Sequence, residues 1–200
     1  MTVCLLLAAG SSSRMDTEDF VKTPKMLLLH NGKTLLQHIL DEVKKTAAAE
    51  PLVVTGCYHK HLEQILQQQH IAFTENKNWQ QGMGSSIQAG TQYITTHYPA
   101  ATEIIILVCD QPHISSSLLQ QMMEIKNNTG KGIVACAYDN TTGTPVLFDK
   151  KYFELLLQLE GSTGAKKIVQ QYMDDCSTVD FPLGNIDIDT PADYYALNRK

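Results

Sequence analysis

"CLLLAAGSSSRM", residues 4–15, is the stretch on which the fold turns. Its first part belongs to an apolar run over 2–8 that reads as a strand buried on both faces, the habit of a parallel sheet. Its second part is a short loop of Gly10 and three serines that ends in Arg14. Such a loop can bend tightly and turn several backbone N–H groups toward one point, a concavity suited to phosphate oxygens. Arg14 adds a planar fork of donors, and Lys25, past an acidic detour, adds a mobile point charge. In a parallel sheet the ligand crevice lies at the carboxyl ends of the strands, where this loop falls. On these residues alone, a serine-rich surface turn with two solvated cations is the alternative. The loop fits neither G-x-G-x-x-G nor G-x-x-x-x-G-K-[ST], so a dinucleotide site and a P-loop ATPase site are not indicated.

Outward from this loop, strand and helix signals alternate. Strands are predicted at 51–56, 71–73, 103–109, 132–138, 144–148 and 177–181, and helices at 34–48, 58–69, 84–97, 115–127, 151–159 and 165–173. "TPADYYALNRK" closes the chain as a helix with Pro191 in its first turn. "EIIILVC" (103–109) is apolar on both faces and is the strongest candidate for a central strand. This βαβ rhythm predicts a single-domain, Rossmann-like three-layer α/β/α fold over residues 1–200, with a mostly parallel sheet. No repeat, linker or low-complexity tract interrupts it.

Composition narrows the partners. The chain has 200 residues, of which 43% are hydrophobic, enough for a real core, and a formal charge of -5 with no basic block. Nucleic acid is therefore not an expected partner. No apolar run is long enough to span a bilayer, and the start lacks the pattern of a secretory leader. Five scattered cysteines, Cys4, Cys57, Cys109, Cys136 and Cys176, read as buried free thiols of a cytoplasmic protein rather than as a disulfide or metal framework.

Carboxylates mark a second centre. Asp110 follows "IIILVC" at the carboxyl end of a buried strand, where a hard cation over phosphate oxygens would explain it. Helix capping before Ser115 is the rival reading. In "NIDIDTPAD", Asp187 and Asp189 lie two apart and share a face if extended. Asp189 is also placed to cap the helix at Thr190–Pro191, so Asp187 is the better metal ligand. His113 falls three residues after Asp110 and could face the ligand, but reads more readily as a solvated histidine. No H-E-x-x-H, zinc-like cysteine pair or nucleophile elbow is present.

The stretches "LLAAGSSSRM" (6–15), "PKMLLL" (24–29), "NKNWQQGMGSSIQAG" (76–90), "CDQPHIS" (109–115), "GTPVLF" (143–148), "GSTGAKKI" (161–168) and "DIDTPADY" (187–194) span nearly the whole chain. In that order they resemble the MobA-like NTP transferases of molybdenum-cofactor biosynthesis, in particular the molybdopterin cytidylyltransferase branch. The resemblance implies transfer of CMP from CTP to the terminal phosphate of molybdopterin, with Mg²⁺ and release of pyrophosphate. By it, Leu7, Ala8, Ala9, Gly10 and Ser12 form the nucleotide loop, Arg14 and Lys25 steady the triphosphate, and Gly82 and Ser86 lie near base and ribose. Asp110 and Asp187 hold the metal, and Gly143, Pro145, Gly164 and Lys166 border the acceptor, Lys166 meeting its phosphate. Ala9, where guanylyl-transferring relatives have a second glycine, points to the smaller cytosine.

Three departures stand beside the resemblance. Asp16 replaces a glycine, the segment 16–23 pushes the lysine out to 25, and Ser162 and Lys166 replace an acid and an arginine. Two other readings follow: nucleotidyl transfer to another phosphorylated acceptor such as a sugar phosphate, and a non-catalytic carrier that hands cofactor to a molybdenum hydroxylase.

Overall fold

The computed structural model describes residues 1–15, 23–46, 48–162 and 164–199. The Asp16 departure and all of the 16–23 segment but Thr23 lie outside the described residues. The stretch 4–15 behaves as its pattern requires: β1 (Thr2–Ala8) is central, hydrogen-bonded in parallel to β4 (Ala49–Thr55) and to β6 (Glu103–Val108). β4 pairs in parallel with β5 (Ala72–Glu75). On the other side, β8 (Thr141–Asp149) runs antiparallel to β6, and β7 (Ile133–Tyr138) pairs antiparallel with β8 and parallel with β9 (Cys176–Asp180). The order β5-β4-β1-β6-β8-β7-β9 is thus a mostly parallel sheet with β8 as its antiparallel member. Two short strands, β2 (Leu29–His30) and β3 (Lys33–Thr34), form a separate hairpin that periodicity did not predict.

Helices cover both faces. Leu36, Ile39, Leu62, Leu66, Leu119 and Met122, from α1 (Leu35–Lys45), α2 (His59–Gln68) and α4 (Ser116–Thr129), pack on one face in a cluster with Cys4, Leu6, Val53 and Leu107. Ile87, Ile94, Leu156, Ile168 and Val169, from α3 (Met83–His97), α5 (Phe153–Leu157) and α6 (Lys166–Gln171), pack on the other with Val3, Leu5, Ile104 and Phe148. Side chains of successive strand residues point to opposite faces, so one apolar run feeds both cores. α3 comes especially close: a Cβ at Gly90 would lie 2.3 Å from Cδ1 of Leu5, so glycine is what lets this helix press onto β1.

Several predicted boundaries shift. The helix predicted over 34–48 ends at Lys45, and that predicted over 151–159 splits into a 3-10 turn (Lys150–Tyr152) and the short α5. The strand predicted over 144–148 is longer, because β8 carries a register shift opposite Ala135/Cys136 that takes up Thr144 and Pro145. Proline cannot donate to a ladder, so a bulge is where a strand tolerates it. Cys4, Cys109 and Cys136 are buried free thiols as expected, whereas Cys57 is exposed and Cys176 half-buried.

At the far edge of the sheet, Asp175 accepts hydrogen bonds from Tyr152 (2.6 Å) and Lys151 (2.7 Å). Against a burial penalty, these bonds and the Gly132 amide hold its carboxyl down at about 2. A carboxyl depressed on folding contributes stability that is full above its unfolded pKa of about 4 and is lost as pH falls through its folded value. The Asp175→Asn variant should therefore melt below the parent at pH 7, and the gap should close between about pH 4 and pH 2. Melting curves across that window check it; a gap independent of pH would assign the loss to packing.

Candidate active site

The order of the sheet reverses beside β1: β4 lies to one side and β6 to the other. A crevice opens outside the carboxyl ends of strands at such a point. Pairing of Leu7 with Val108 sends the loop after Ala8 and the turn at Asp110 out of the sheet side by side. Between them lies a cavity of about 360 Å³, lined by Leu7, Ala8, Ala9, Gly10, Arg14, Lys25, Gly82, Ser86 and Asp110 among others. Trp79 and Met83 stand in its apolar wall.

The cations converge on carboxylates. Lys25 Nζ lies 2.5 Å from Asp110 Oδ2 and 2.9 Å from Asp189 Oδ1, and Arg14 Nη1 lies 2.9 Å from Asp189 Oδ2. Partial burial pulls the Lys25 ammonium toward neutrality, but Asp110 and Asp189 outweigh it and its pKa ends above the ordinary lysine value. Both capping readings are corrected here. Ser115 caps α4, and Thr190 caps α7 (Pro191–Leu197) in a capping box with Asp193, so neither Asp110 nor Asp189 is spent on a helix.

A small satellite core fixes this arrangement. Met15 at the end of the loop, Leu28 beyond Lys25, Leu35 and the fully buried Ile188 pack together. Ile188 N–H also donates to the Asp110 carbonyl at 2.9 Å. With Ile188 turned inward, Asp187 and Asp189 are left on the open side of the segment. Asp187 is pushed up to about 6 by partial desolvation, by Asp110 and by Asp189, against the pull of Lys25. Its surface stays open to water, so repulsion from two neighbouring carboxylates is the weightier cause. Among the described residues no ion pair compensates it, and no group of three or more metal-ligating side chains is assembled.

The loop differs from its sequence reading in detail. The left-handed residue is Ser12 (φ 54°), not Gly10, and Ser12 Oγ accepts the Lys25 N–H at 3.0 Å instead of lining the cavity. Ser12 is therefore a tie between the loop and the lysine. A Cβ on Gly10 would meet nothing within 4 Å, so the space above it is free. Gly82, at the start of α3, has φ +106°, and a Cβ there would lie 2.7 Å from the Gly161 carbonyl oxygen and the Ser162 Cα. Glycine is required on both counts. Ser86 is buried and accepts from Asn76 Nδ2 at 3.0 Å, a bond that anchors α3 to the end of β5.

The acceptor residues separate into two groups. Gly164 lies against the cavity wall, since a Cβ there would be 3.0 Å from the Met83 sulfur. Lys166, Gly143 and Pro145 do not line this cavity. Lys166 instead borders a second opening, where its ammonium donates to Thr141 Oγ1 at 2.9 Å. His113 is also outside the cavity lining; partial burial, His30 and His38 keep its imidazole pKa low. Sequence reasoning gave no role to Trp79 or Asn76, although both stand in the "NKNW" stretch it quoted, and none to Tyr138.

A glycine-marked loop with two cations, facing a carboxylate across the switch point of a mostly parallel three-layer sheet, defines an α/β fold of the nucleotidyltransferase type. Residues 4–176 match the MobA-like NTP transferase domain, and the chain belongs to that family. The chain is 26% identical over 171 residues to the bifunctional protein GlmU of Acinetobacter baumannii, covering 85% of this chain and 36% of that protein. It thus spans about a third of the length of the curated relatives it matches. Among solved structures it superposes on Rv0371c of Mycobacterium tuberculosis H37Rv with a TM-score of 0.76, at 25% identity, covering 98% of this chain and 96% of that one. A nucleotidyl transferase from Methanothermobacter thermautotroptrophicus shares the fold, with a TM-score of 0.79 at 21% identity over 98% and 95% of the two chains. No helix among the described residues is long and apolar enough to cross a membrane.

Proposed function

We propose that this chain transfers a nucleotidyl group from a nucleoside triphosphate to a phosphorylated acceptor and releases pyrophosphate. The observation that carries the reading is the convergence of Arg14 and Lys25 with Asp110 at the mouth of the cavity, where strands β1 and β6 end. Two cations beside an open glycine loop would bind phosphate oxygens, and the exchange is local: each cation leaves a carboxylate for the incoming triphosphate. Lys25, the more buried of the two, would stay against the charge that develops on the transferring phosphorus. The acceptor phosphate is already ionised at neutral pH, so no strong general base is needed. Positioning and electrostatics carry the rate.

The donor set fits a hard divalent cation. Asp110 and Asp187 offer carboxylate oxygens, and Asp187 is the uncompensated member of the acidic group, whereas Asp189 is engaged by Arg14 and Lys25. Asp110 and Asp187 would therefore hold Mg²⁺, with phosphate oxygens and water completing its shell. When bound, the ion would supply charge neutralisation to the triphosphate and to departing pyrophosphate.

The motif resemblance supports CTP and molybdopterin as the substrates. The likeness to GlmU and to a nucleotidyl transferase supports a phosphorylated acceptor without selecting molybdopterin, so a sugar phosphate stands beside it as the second reading. A non-catalytic carrier role has less support, because the triphosphate cations and the carboxylates they face remain together. Pyrophosphate release with Mg²⁺ and each of CTP, GTP, ATP and UTP, against molybdopterin and against a set of sugar 1-phosphates, tests the reading. Release with one triphosphate and one acceptor class supports it; silence throughout, in protein shown to be folded, refutes it.

Base choice is testable at one atom. Ala9 borders the cavity, and a Cβ at Gly56 would lie 2.8 Å from its methyl. If it restricts the base, Ala9→Gly should improve kcat/KM for GTP relative to CTP by about tenfold, the usual worth of one methyl group in a pocket. An unchanged ratio would remove Ala9 from base selection.

A further inference from the structure

We infer that Tyr58 is a positioning residue for the nucleotide loop. Its hydroxyl and the neighbouring Cys57 amide hold two loop carbonyls away from the cavity, which turns the Gly10 and Ser12 N–H groups toward a bound triphosphate. The inference rests on the nucleotidyl-transfer reading above and adds to it a residue that does not itself line the cavity.

The turn after β4 runs beside the loop after β1, because the two strands are parallel neighbours with Ala8 opposite Thr55. Between them Cys57 N–H donates to the Ala9 carbonyl at 3.1 Å, and the Tyr58 hydroxyl donates to the Ser11 carbonyl at 2.8 Å. The approach needs Gly56, where a Cβ would lie 2.7 Å from the Ala9 carbonyl oxygen and 2.8 Å from Trp79 Cβ. Both carbonyls therefore face the β4 side. In a trans peptide a carbonyl and the N–H that follows it point opposite ways. Gly10 N–H and Ser12 N–H are thus turned to the other side of β1, where β6 ends and the cavity opens. Among the described residues neither N–H donates to another group of the protein. Such a pair of amides forms a concavity that suits phosphate oxygens.

Tyr58 holds the loop instead of following it. Its backbone is fixed at the start of α2, where its carbonyl accepts from the His61 and Leu62 N–H groups. Its ring packs on the core under α1, α2 and α4 and meets the His61 ring edge-on, with 6.1 Å between centroids. The loop has no such support of its own: Gly10 is exposed, and Ser12 is left-handed. A serine keeps that conformation only where its surroundings impose it. Here they do so from both sides, through the Tyr58 bond to the Ser11 carbonyl and the Lys25 N–H bond to Ser12 Oγ. Core packing belongs to the tyrosine ring, and the aim of the Ser12 amide belongs to the hydroxyl. One oxygen atom separates the two roles.

Amide NMR of the whole chain, titrated with each of CTP, GTP, ATP and UTP, tests this in Tyr58→Phe, which keeps the ring. In the parent the Gly10 and Ser12 amide protons should both move downfield with the triphosphate that binds. In the variant the Ser12 shift should be lost, while the Gly10 shift, secured by Cys57, should stay. The Kd of that triphosphate should rise about tenfold, the worth of one hydrogen bond. Tyr58→4-aminophenylalanine puts a donor back at the same place and should restore both the Ser12 shift and the affinity. A Phe variant that binds as the parent does, a Ser12 amide that stays still in the parent, or a loss that the amine does not rescue would overturn the assignment. Each of those results would leave the nucleotidyl-transfer reading standing. A parent loop that answers none of the four triphosphates would take both down.

Discussion

In the Asp110→Ala variant, pyrophosphate release should fall by at least about a hundredfold, while unfolding stays cooperative and close to the parent. Activity depends on the carboxylate; the fold depends on the backbone. The side chain has one strong partner, Lys25, and Lys25 keeps Asp189 when Asp110 is removed. The bond from Ile188 N–H goes to the Asp110 carbonyl, which alanine retains. Removing Asp110 therefore takes away an oxygen ligand without freeing the segment that carries Asp187. Binding of Mn²⁺, followed by its paramagnetic resonance, should weaken in parallel. Normal turnover would displace the metal from Asp110.

Lys25→Met should cost a similar factor in kcat/KM, about 10²–10³, by a different route. It removes the cation that bridges Asp110 and Asp189 and leaves Arg14, whose side chain is 71% exposed, as the remaining positive charge in the ion-paired group. Here stability should suffer as well. Three neighbouring carboxylates then repel, at a cost of roughly 1–3 kcal/mol for a partly buried group. The repulsion needs ionised carboxylates, so the penalty is full at pH 8 and fades as pH falls toward about 4, the ordinary carboxyl range. Melting temperatures at pH 8 and pH 4.5 check this. A loss of stability equal at both would assign it to packing around the lysine stem.

Much of the architecture was legible in the pattern of apolar residues. The runs at 2–8 and 103–109 are doubly buried neighbours at the centre of the sheet, and the turns after them build the cavity. Three things were not legible. The hairpin at 29–34 had a local signal in Asn31–Gly32, a dipeptide that favours φ > 0, but its strands are too short to show a period. The reversed direction of β8 depends on which strand it joins, which periodicity does not encode. The partner of Asp189 was also hidden, because its neighbours in space, Arg14 and Lys25, lie more than 160 residues away in the chain. What identified the segment was the alternation Asp187–Ile188–Asp189, and the buried Ile188 explains why both acids face outward. Lys166 shows where motif reading stops: the motif gives its charge, while the short α6 decides which opening that charge borders.

The most direct test is to follow phosphorus by NMR during turnover, with Mg²⁺, one nucleoside triphosphate and a phosphorylated acceptor. The account predicts that the three triphosphate resonances give way to pyrophosphate and to a new pair of coupled diphosphate resonances. Loss of that conversion in Asp110→Ala would tie it to the site described. Triphosphate left intact with every base and acceptor, or cleaved to orthophosphate with no new diester, would contradict it.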